Sequence, residues 1–172
     1  SGRSATDGAV EVVFDGGVGA VAELTAETDF VAKGGIFTET VNKLALLAVE
    51  HGKADLATLP FEGSTVEEHI TQLASTLGEN VAVGRVVLFE TTDGVIDGYK
   101  HLQNERGTIG VLVELGGIDP ADAKAGEVAH DIALHIASAA PRWVTRDEVP
   151  ADVVEKERAV LEELTRNEGK PD

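Results

Sequence analysis

The chain has 172 residues, of which 42% are hydrophobic and 26% charged, a balance typical of a folded protein with a substantial core. Its 14 basic and 31 acidic residues give a formal net charge of -17. So negative a surface repels phosphate backbones and anionic lipid, which argues against nucleic acid or a membrane as the main partner. The absence of cysteine excludes disulfides, thiolate metal sites and thiol catalysis. With no membrane-length apolar stretch and no signal-peptide core, a cytoplasmic protein is expected.

The first half is predicted to begin with two antiparallel strands and a helix. Residues 9–15 (AVEVVFD) and 19–24 (GAVAEL) have the composition of strands, and Gly16-Gly17 between them is typical of a tight turn. The apolar residues of the helix that follows recur at the spacing of one buried face: Phe37, Val41, Leu44, Ala45 and Ala48.

A second helix and a third strand complete this half. Residues 64–78 are amphipathic, and Thr65 and Glu68 have the spacing of a capping box, in which each side chain bonds the backbone N–H of the other. Gly78 is placed to end the helix. Residues 81–90 (VAVGRVVLFE) then have the composition of a strand.

The second half repeats the order of the first. Residues 95–102 and 109–115 are predicted strands joined by a turn at 104–107, and a helix is predicted over 128–140. GAVAEL at 19 aligns with GVLVEL at 110 with an offset of 91, and the helices align with an offset of 88. This recurrence favours a duplication. The predicted fold is therefore α+β, with two related halves, each an antiparallel sheet of about three strands with helices on one side.

A final charged helix is predicted from about 152 to 167. Its apolar stripe is thin, which is more typical of an arm that contacts a partner than of a core element. The predicted organisation is thus an N-terminal half of the core at 1–90, a C-terminal half at 91–149, and a charged helical arm at 150–172. A homodimer formed through the arm remains open.

The densest group of metal-capable residues lies on the helix of the second half: Glu127, His130, Asp131 and His135. His130 and His135 are five residues apart, so they point about 140° away from each other on a helix. Solvated side chains on an amphipathic helix are therefore the favoured interpretation, and a metal enzyme or small hydrolase is the rival. The glycines of residues 15–20 lie between two strands instead of before a helix, so they indicate a hairpin turn and not a phosphate loop. No enzyme activity, metal or cofactor is expected.

Residues 23–33 (ELTAETDFVAK) are the most distinctive segment. A large aromatic, Phe30, follows Thr28 and Asp29 in a stretch of turn character just before a helix. Taken alone, these residues favour a helix cap at Thr28 or Asp29 with Phe30 in the core. The alternative makes Phe30 an exposed side chain that enters another protein's pocket, with Asp29 fixing the loop.

This segment resembles the signature of bacterial elongation factor Ts, which ends in Thr-Asp-Phe-Val-Ala-Lys, as residues 28–33 do. Further similarities lie in LGEN at 77–80, YKH at 99–101, IGVLV at 109–113, and VEKE at 154–157 through EGKP at 168–171. Together they cover nearly the whole chain in the family's order. Thr25-Ala26 departs from the usual Asn-Cys, which puts the bracing of the loop in doubt. The chain is shorter than the family at both ends. The resemblance therefore implies a core fragment, close to actinobacterial members.

The resemblance also implies a function, guanine nucleotide exchange on elongation factor Tu. In the family an intruding pair presses near the magnesium and phosphate side of that GTPase, and here Asp29 and Phe30 hold those positions. Thr28 and Val31 flank the pair, and the family's further contact positions correspond to Leu77 and His101. The alternative is a truncated interaction or dimerisation module that binds elongation factor Tu without efficient exchange.

Overall fold

The computed structural model describes residues 4–52, 54–138, 145–149 and 156–163, with the last two segments described as backbone. The elements of the first half are β1 (Asp7–Asp15), β2 (Val18–Ala26), α1 (Asp29–Ala32), α2 (Gly35–His51), β3 (Pro60–Phe61), β4 (Ser64–Thr65), α3 (Val66–Leu77) and β5 (Ala82–Glu90), with a 3-10 turn at Leu56–Thr58. Those of the second half are β6 (Gly94–Gln103), β7 (Arg106–Gly116), α4 (Ala123–Ser138), β8 (Thr145–Val149) and β9 (Lys156–Glu163).

Two antiparallel sheets form the centre of the fold. The first has the order β1-β2-β5 and the second the order β6-β7-β9-β8, while β3 and β4 make a separate short hairpin. The pairings within both sheets are antiparallel, as predicted. The α+β prediction is therefore confirmed, although the second sheet has four strands where about three were expected.

The sheets stack between two helical layers because each central strand is apolar on both faces. In β2, Ala22 and Leu24 face the helices of the first half, whereas Val21 faces the second sheet. In β7, Val111 and Val113 pack against α4. The buried residues that join the two sheets are Val21, Phe89, Ile96 and Leu112. The order of layers is thus helices, sheet, sheet, helix.

The predicted helical faces agree with the packing. All five apolar residues of the predicted α2 face are buried, and the capping box of Thr65 and Glu68 forms at the start of α3. Gly78 ends α3 with a left-handed φ of 70°, a conformation that glycine adopts without strain. The helix predicted from 128 begins earlier, at Ala123, and is described as far as Ser138.

The two halves carry equivalent polar contacts. In the first half, Glu11 of β1 accepts a hydrogen bond from Asn42 of α2 at 3.3 Å and another from the backbone N–H of the next residue. In the second half, Asp97 of β6 lies 2.9 Å from His130 of α4 and accepts the N–H of its own next residue. Asn42 and His130 are separated by the helix offset of 88 found in the sequence. A carboxylate that ties the outer strand to its helix is therefore common to both halves.

The prediction of a helix over 152–167 is wrong for Lys156–Glu163, which form β9 between β7 and β8. The rest of the predicted helix lies outside the described residues. The neighbouring strand β7 explains why this segment is a strand and not a helix. β7 is buried along nearly its whole length, and β6 pairs with only one of its edges. Buried backbone N–H and C=O groups on the other edge need partners, and pairing with β9 supplies them, which outweighs the helix propensity of KERAVLEE.

Within the part of the chain that the structure describes, no helix is both long and apolar enough to cross a lipid bilayer.

Candidate functional site

The distinctive segment forms α1, a single helical turn between β2 and α2. Thr28 is extended, with φ -127° and ψ 154°, and its side chain accepts a hydrogen bond from the N–H of Val31 at 3.3 Å, so it is the helix cap. Ala32 is fully buried and Val31 packs partly against the first core. Phe30 points the other way and is 76% exposed. Phe30 is therefore not a core residue of this chain.

Glu79, just after α3, holds one side of this segment. Its Oε1 accepts hydrogen bonds from the backbone N–H groups of Glu27 and Thr28, both at 3.1 Å. Its Oε2 accepts the Thr28 hydroxyl at 2.7 Å. In return, the Glu27 carboxylate accepts the N–H of Asn80. Charged acceptors make the stronger hydrogen bonds in proteins, so the end of α3 fixes the entry to α1.

Leu77 is the last residue of α3, two positions before Glu79. Its side chain is half-buried and packs against the core of the first half. The structure therefore brings Leu77 to the same end of the molecule as Thr28, on the helix whose end contacts the segment.

The tip of the β6–β7 hairpin holds the other side of the segment. The amide nitrogen of Asn104 donates a hydrogen bond to Asp29 Oδ2 at 3.1 Å. Asn104 and Glu105 form the turn, with φ of 52° and 66°. Asparagine is among the residues that tolerate this left-handed region best.

Arg106 anchors this tip to the start of β1. It is 2% exposed, and its Nε donates to the carbonyl of Gly8 at 2.6 Å. One of its terminal nitrogens donates to Asp7 at 3.1 Å and the other to the carbonyl of Asn104 at 3.3 Å. The hairpin of the second half is therefore joined to the first half by a buried, charge-assisted contact.

His101 lies on β6, three residues before Asn104, and its side chain is exposed. Its Nδ1 is 3.1 Å from the hydroxyl of Tyr99, and the two rings stack with their centroids 6.1 Å apart. The two side chains line one wall of an open groove, and Leu134 and His135 of α4 line the other. His101 thus shares the hairpin whose tip contacts Asp29.

The four metal-capable residues of α4 do not converge. His130 contacts Asp97, whereas Asp131 and His135 line the groove beside His101. Among the described residues, no three histidine or carboxylate side chains are grouped so that they could hold a metal ion.

One carboxyl near the segment has a shifted pKa. Burial raises the pKa of Glu23, on β2, because a low-dielectric environment disfavours the charged form. The backbone N–H of Arg85 donates to it at 3.4 Å, and this bond and the Arg85 charge oppose the shift only in part.

Comparison with known proteins identifies the family. A family model described as "Elongation factor TS" matches residues 27–172. Elongation factor Ts of Arthrobacter sp. (strain FB24) is 41% identical over 99% of this chain. The chain belongs to the elongation factor Ts family. The resemblance seen in the sequence is thereby confirmed.

Other relatives support the same family. Elongation factor Ts of Rhodospirillum rubrum is 41% identical over all of this chain and 58% of its own length, and that of Micrococcus luteus is 40% identical over 99% and 62%. This chain also covers 62% of the length of the Arthrobacter protein. The chain thus spans about three fifths of the length of these elongation factor Ts proteins.

Sequence reasoning singled out residues 28–33 as the candidate segment but missed the two side chains that hold it. Glu79 lies 51 residues from Thr28 in sequence, and Asn104 lies 75 residues from Asp29. Glu79 was visible only as part of the LGEN similarity, and Asn104 only as a turn residue. Neither signal indicates a contact with a distant loop.

Proposed function

We propose that this chain promotes the release of GDP from elongation factor Tu during translation elongation, by inserting the segment of Asp29 and Phe30 near the magnesium and phosphate side of the GTPase. Membership of the elongation factor Ts family supports the partner and the activity. The observation that carries the mechanism is the 76% exposure of Phe30 on a turn held from two sides. A cytoplasmic location belongs to the same proposal.

The proposed mechanism is thermodynamic linkage and needs no bond to be broken. A surface that binds the nucleotide-free GTPase more tightly than its GDP form must weaken GDP binding by the same factor. Burying a phenylalanine side chain stabilises a complex by about 2 to 3 kcal/mol. If the receiving pocket forms only when the magnesium site is disturbed, that energy shifts the equilibrium roughly 30- to 150-fold towards the GDP-free state.

The remaining predicted contacts have distinct parts in this proposal. Thr28 caps α1 and Val31 anchors it to the core, so both hold the turn that presents Phe30. Asp29 begins the turn and brings a negative charge towards the metal and phosphate network. Leu77 and His101 lie on the two elements that support the segment, and we assign them to the edges of the same partner surface.

The second candidate is a module that binds elongation factor Tu, or a second copy of this chain, without efficient exchange. Family membership supports the binding to elongation factor Tu that this candidate shares with the first.

Titration with elongation factor Tu carrying fluorescent GDP tests the proposal. We expect the chain both to bind and to accelerate the loss of fluorescence, saturating as its concentration rises. Binding at the same concentrations with an unchanged release rate favours the module. No binding to elongation factor Tu contradicts the proposal and leaves the module only as one that binds a second copy of this chain. A magnesium-free sample shows how fast GDP leaves when the metal site is already empty.

A further inference from the structure

We propose that Asn104 is a positioning residue, whose side-chain amide fixes the direction in which Phe30 leaves the surface. It reaches Phe30 through Asp29, the acceptor of its hydrogen bond. The inference rests on the proposed function, because it concerns the segment that is to enter the GTPase. It assigns to the second half of the molecule a part in presenting a residue of the first half.

α1 is too short to be stable as an isolated helix. It has four residues, a single turn, and isolated helices of this length are unstable in water because nucleation is costly. Phe30, at 76% exposure, has little packing of its own to orient it. Its direction therefore depends on the residues on either side.

The contacts that fix α1 and the residues before it come from both halves of the molecule. Glu79 fixes the backbone before the turn, through the N–H groups of Glu27 and Thr28. Val31 and Ala32 anchor the end of the turn in the core. Asp29 is the residue between these anchors, and its side chain is bonded to Asn104, 75 residues away in sequence. Because Asp29 directly precedes Phe30, this contact constrains the turn where the aromatic departs.

Asn104 is itself fixed in position by a contact with Arg106. The carbonyl of Asn104 accepts a hydrogen bond from Arg106, whose buried guanidinium also bonds Gly8 and Asp7 of the first half. Through Arg106, the residue that carries this amide is therefore connected to β1.

A purely structural role for Asn104 makes a different prediction from a positioning role. Loss of a structural contact lowers stability alone. Loss of a positioning contact loosens α1 and lowers the maximal rate of GDP release, while the concentration for half-maximal release changes little because the rest of the surface still binds. The order of α1 and the maximal rate of GDP release therefore distinguish a positioning role from a purely structural one.

Three variants make the test. Asn104→Gly removes the amide and retains the turn, since glycine adopts the φ of 52° freely. Glu105→Gly is the matched control in the same turn. The double variant Asn104→Asp with Asp29→Asn exchanges donor and acceptor, so the hydrogen bond can form again in the opposite direction, whereas Asn104→Asp alone places two carboxylates together.

The measurements are amide hydrogen exchange at Val31, Ala32 and Lys33, and GDP release from elongation factor Tu over a range of chain concentrations. We expect Asn104→Gly to speed hydrogen exchange at these amides about 5- to 10-fold, the net size of one ordinary exposed hydrogen bond, and to lower the maximal release rate about as much. Glu105→Gly should change neither. Asn104→Asp should lose the protection of these amides, and the double variant should regain it.

Unchanged protection in Asn104→Gly overturns the proposal, and so does lost protection with an unchanged maximal release rate. A parent chain that binds without releasing GDP contradicts the proposed function instead. In that case, lost protection that the donor and acceptor exchange restores still supports the positioning of α1 by Asn104.

Discussion

Gly19 and Gly110 lie at equivalent places in the two halves, and each leaves room for a side chain of the other half. A Cβ on Gly19 would lie 2.8 Å from Leu112, and a Cβ on Gly110 would lie 3.1 Å from Val21. Leu112 follows Val21 by the same 91 positions that separate the two glycines. The contacts between the sheets are therefore reciprocal, as they are at a two-fold interface between identical subunits.

This close approach makes a prediction for stability. Gly19→Ala should lower the free energy of unfolding by about 1 to 3 kcal/mol, the usual cost of overpacking a core, because its Cβ would crowd Ile96 and Leu112, both at 2.8 Å. The control is Gly126→Ala on α4, where nothing lies within 4 Å and alanine is the better helix former. Denaturant unfolding of the two variants checks this. Equal stability of the two would contradict the account of the sheet interface.

The buried guanidinium of Arg106 should be costly to remove. Arg106→Met removes the hydrogen bonds that the guanidinium donates to Asp7 and to the carbonyls of Gly8 and Asn104, and breaking such a buried pair costs about 3 kcal/mol. Thermal unfolding should show a clear fall in Tm. The matched variant is Lys43→Met, which removes an exposed contact with Glu39 and Glu62 and should change Tm little. Similar small effects of the two would show that the hairpin is not anchored in this way.

The raised pKa of Glu23 predicts a pH-dependent effect. A carboxyl whose folded pKa exceeds its unfolded value of about 4.5 contributes stability below that value and loses it as pH rises through the folded pKa. Glutamine mimics the neutral form at every pH. Glu23→Gln should therefore match the parent in acid and exceed its stability at neutral pH.

Urea unfolding of parent and Glu23→Gln at a series of pH values measures this difference. Glu50→Gln, which removes an exposed carboxyl on α2, serves as the control for the loss of one surface charge. A stability difference between parent and Glu23→Gln that stays constant with pH would show that burial does not govern this group.

Local signals predicted the local structure well. The spacing of Phe37, Val41 and Leu44 predicted the buried face of α2, and Thr65 with Glu68 predicted the start of α3. The offset of 91 predicted the duplication because strand composition and the glycine positions recur together. The two helix features depend on residues a few positions apart, which sequence periodicity records, whereas the duplication is visible as a recurrence at a fixed offset.

Features that depend on distant partners were not predictable in this way. Lys156–Glu163 has the composition of a helix and becomes β9 because β7 needs a partner on its second edge. The direction of Phe30 could not be decided from residues 23–33, since the supports from Glu79 and Asn104 arise only when the chain is folded. The same segment could have buried its aromatic in a different tertiary setting.

The most direct test of the account is the rate of GDP release from elongation factor Tu by Phe30→Ala, with Leu46→Ala as the matched loss of an exposed apolar side chain on α2. We expect Phe30→Ala to lower the release efficiency about 30- to 150-fold, in line with the 2 to 3 kcal/mol of a buried phenylalanine, and Leu46→Ala to act like the parent. Release by Phe30→Ala as fast as by the parent would contradict the proposed insertion of Phe30.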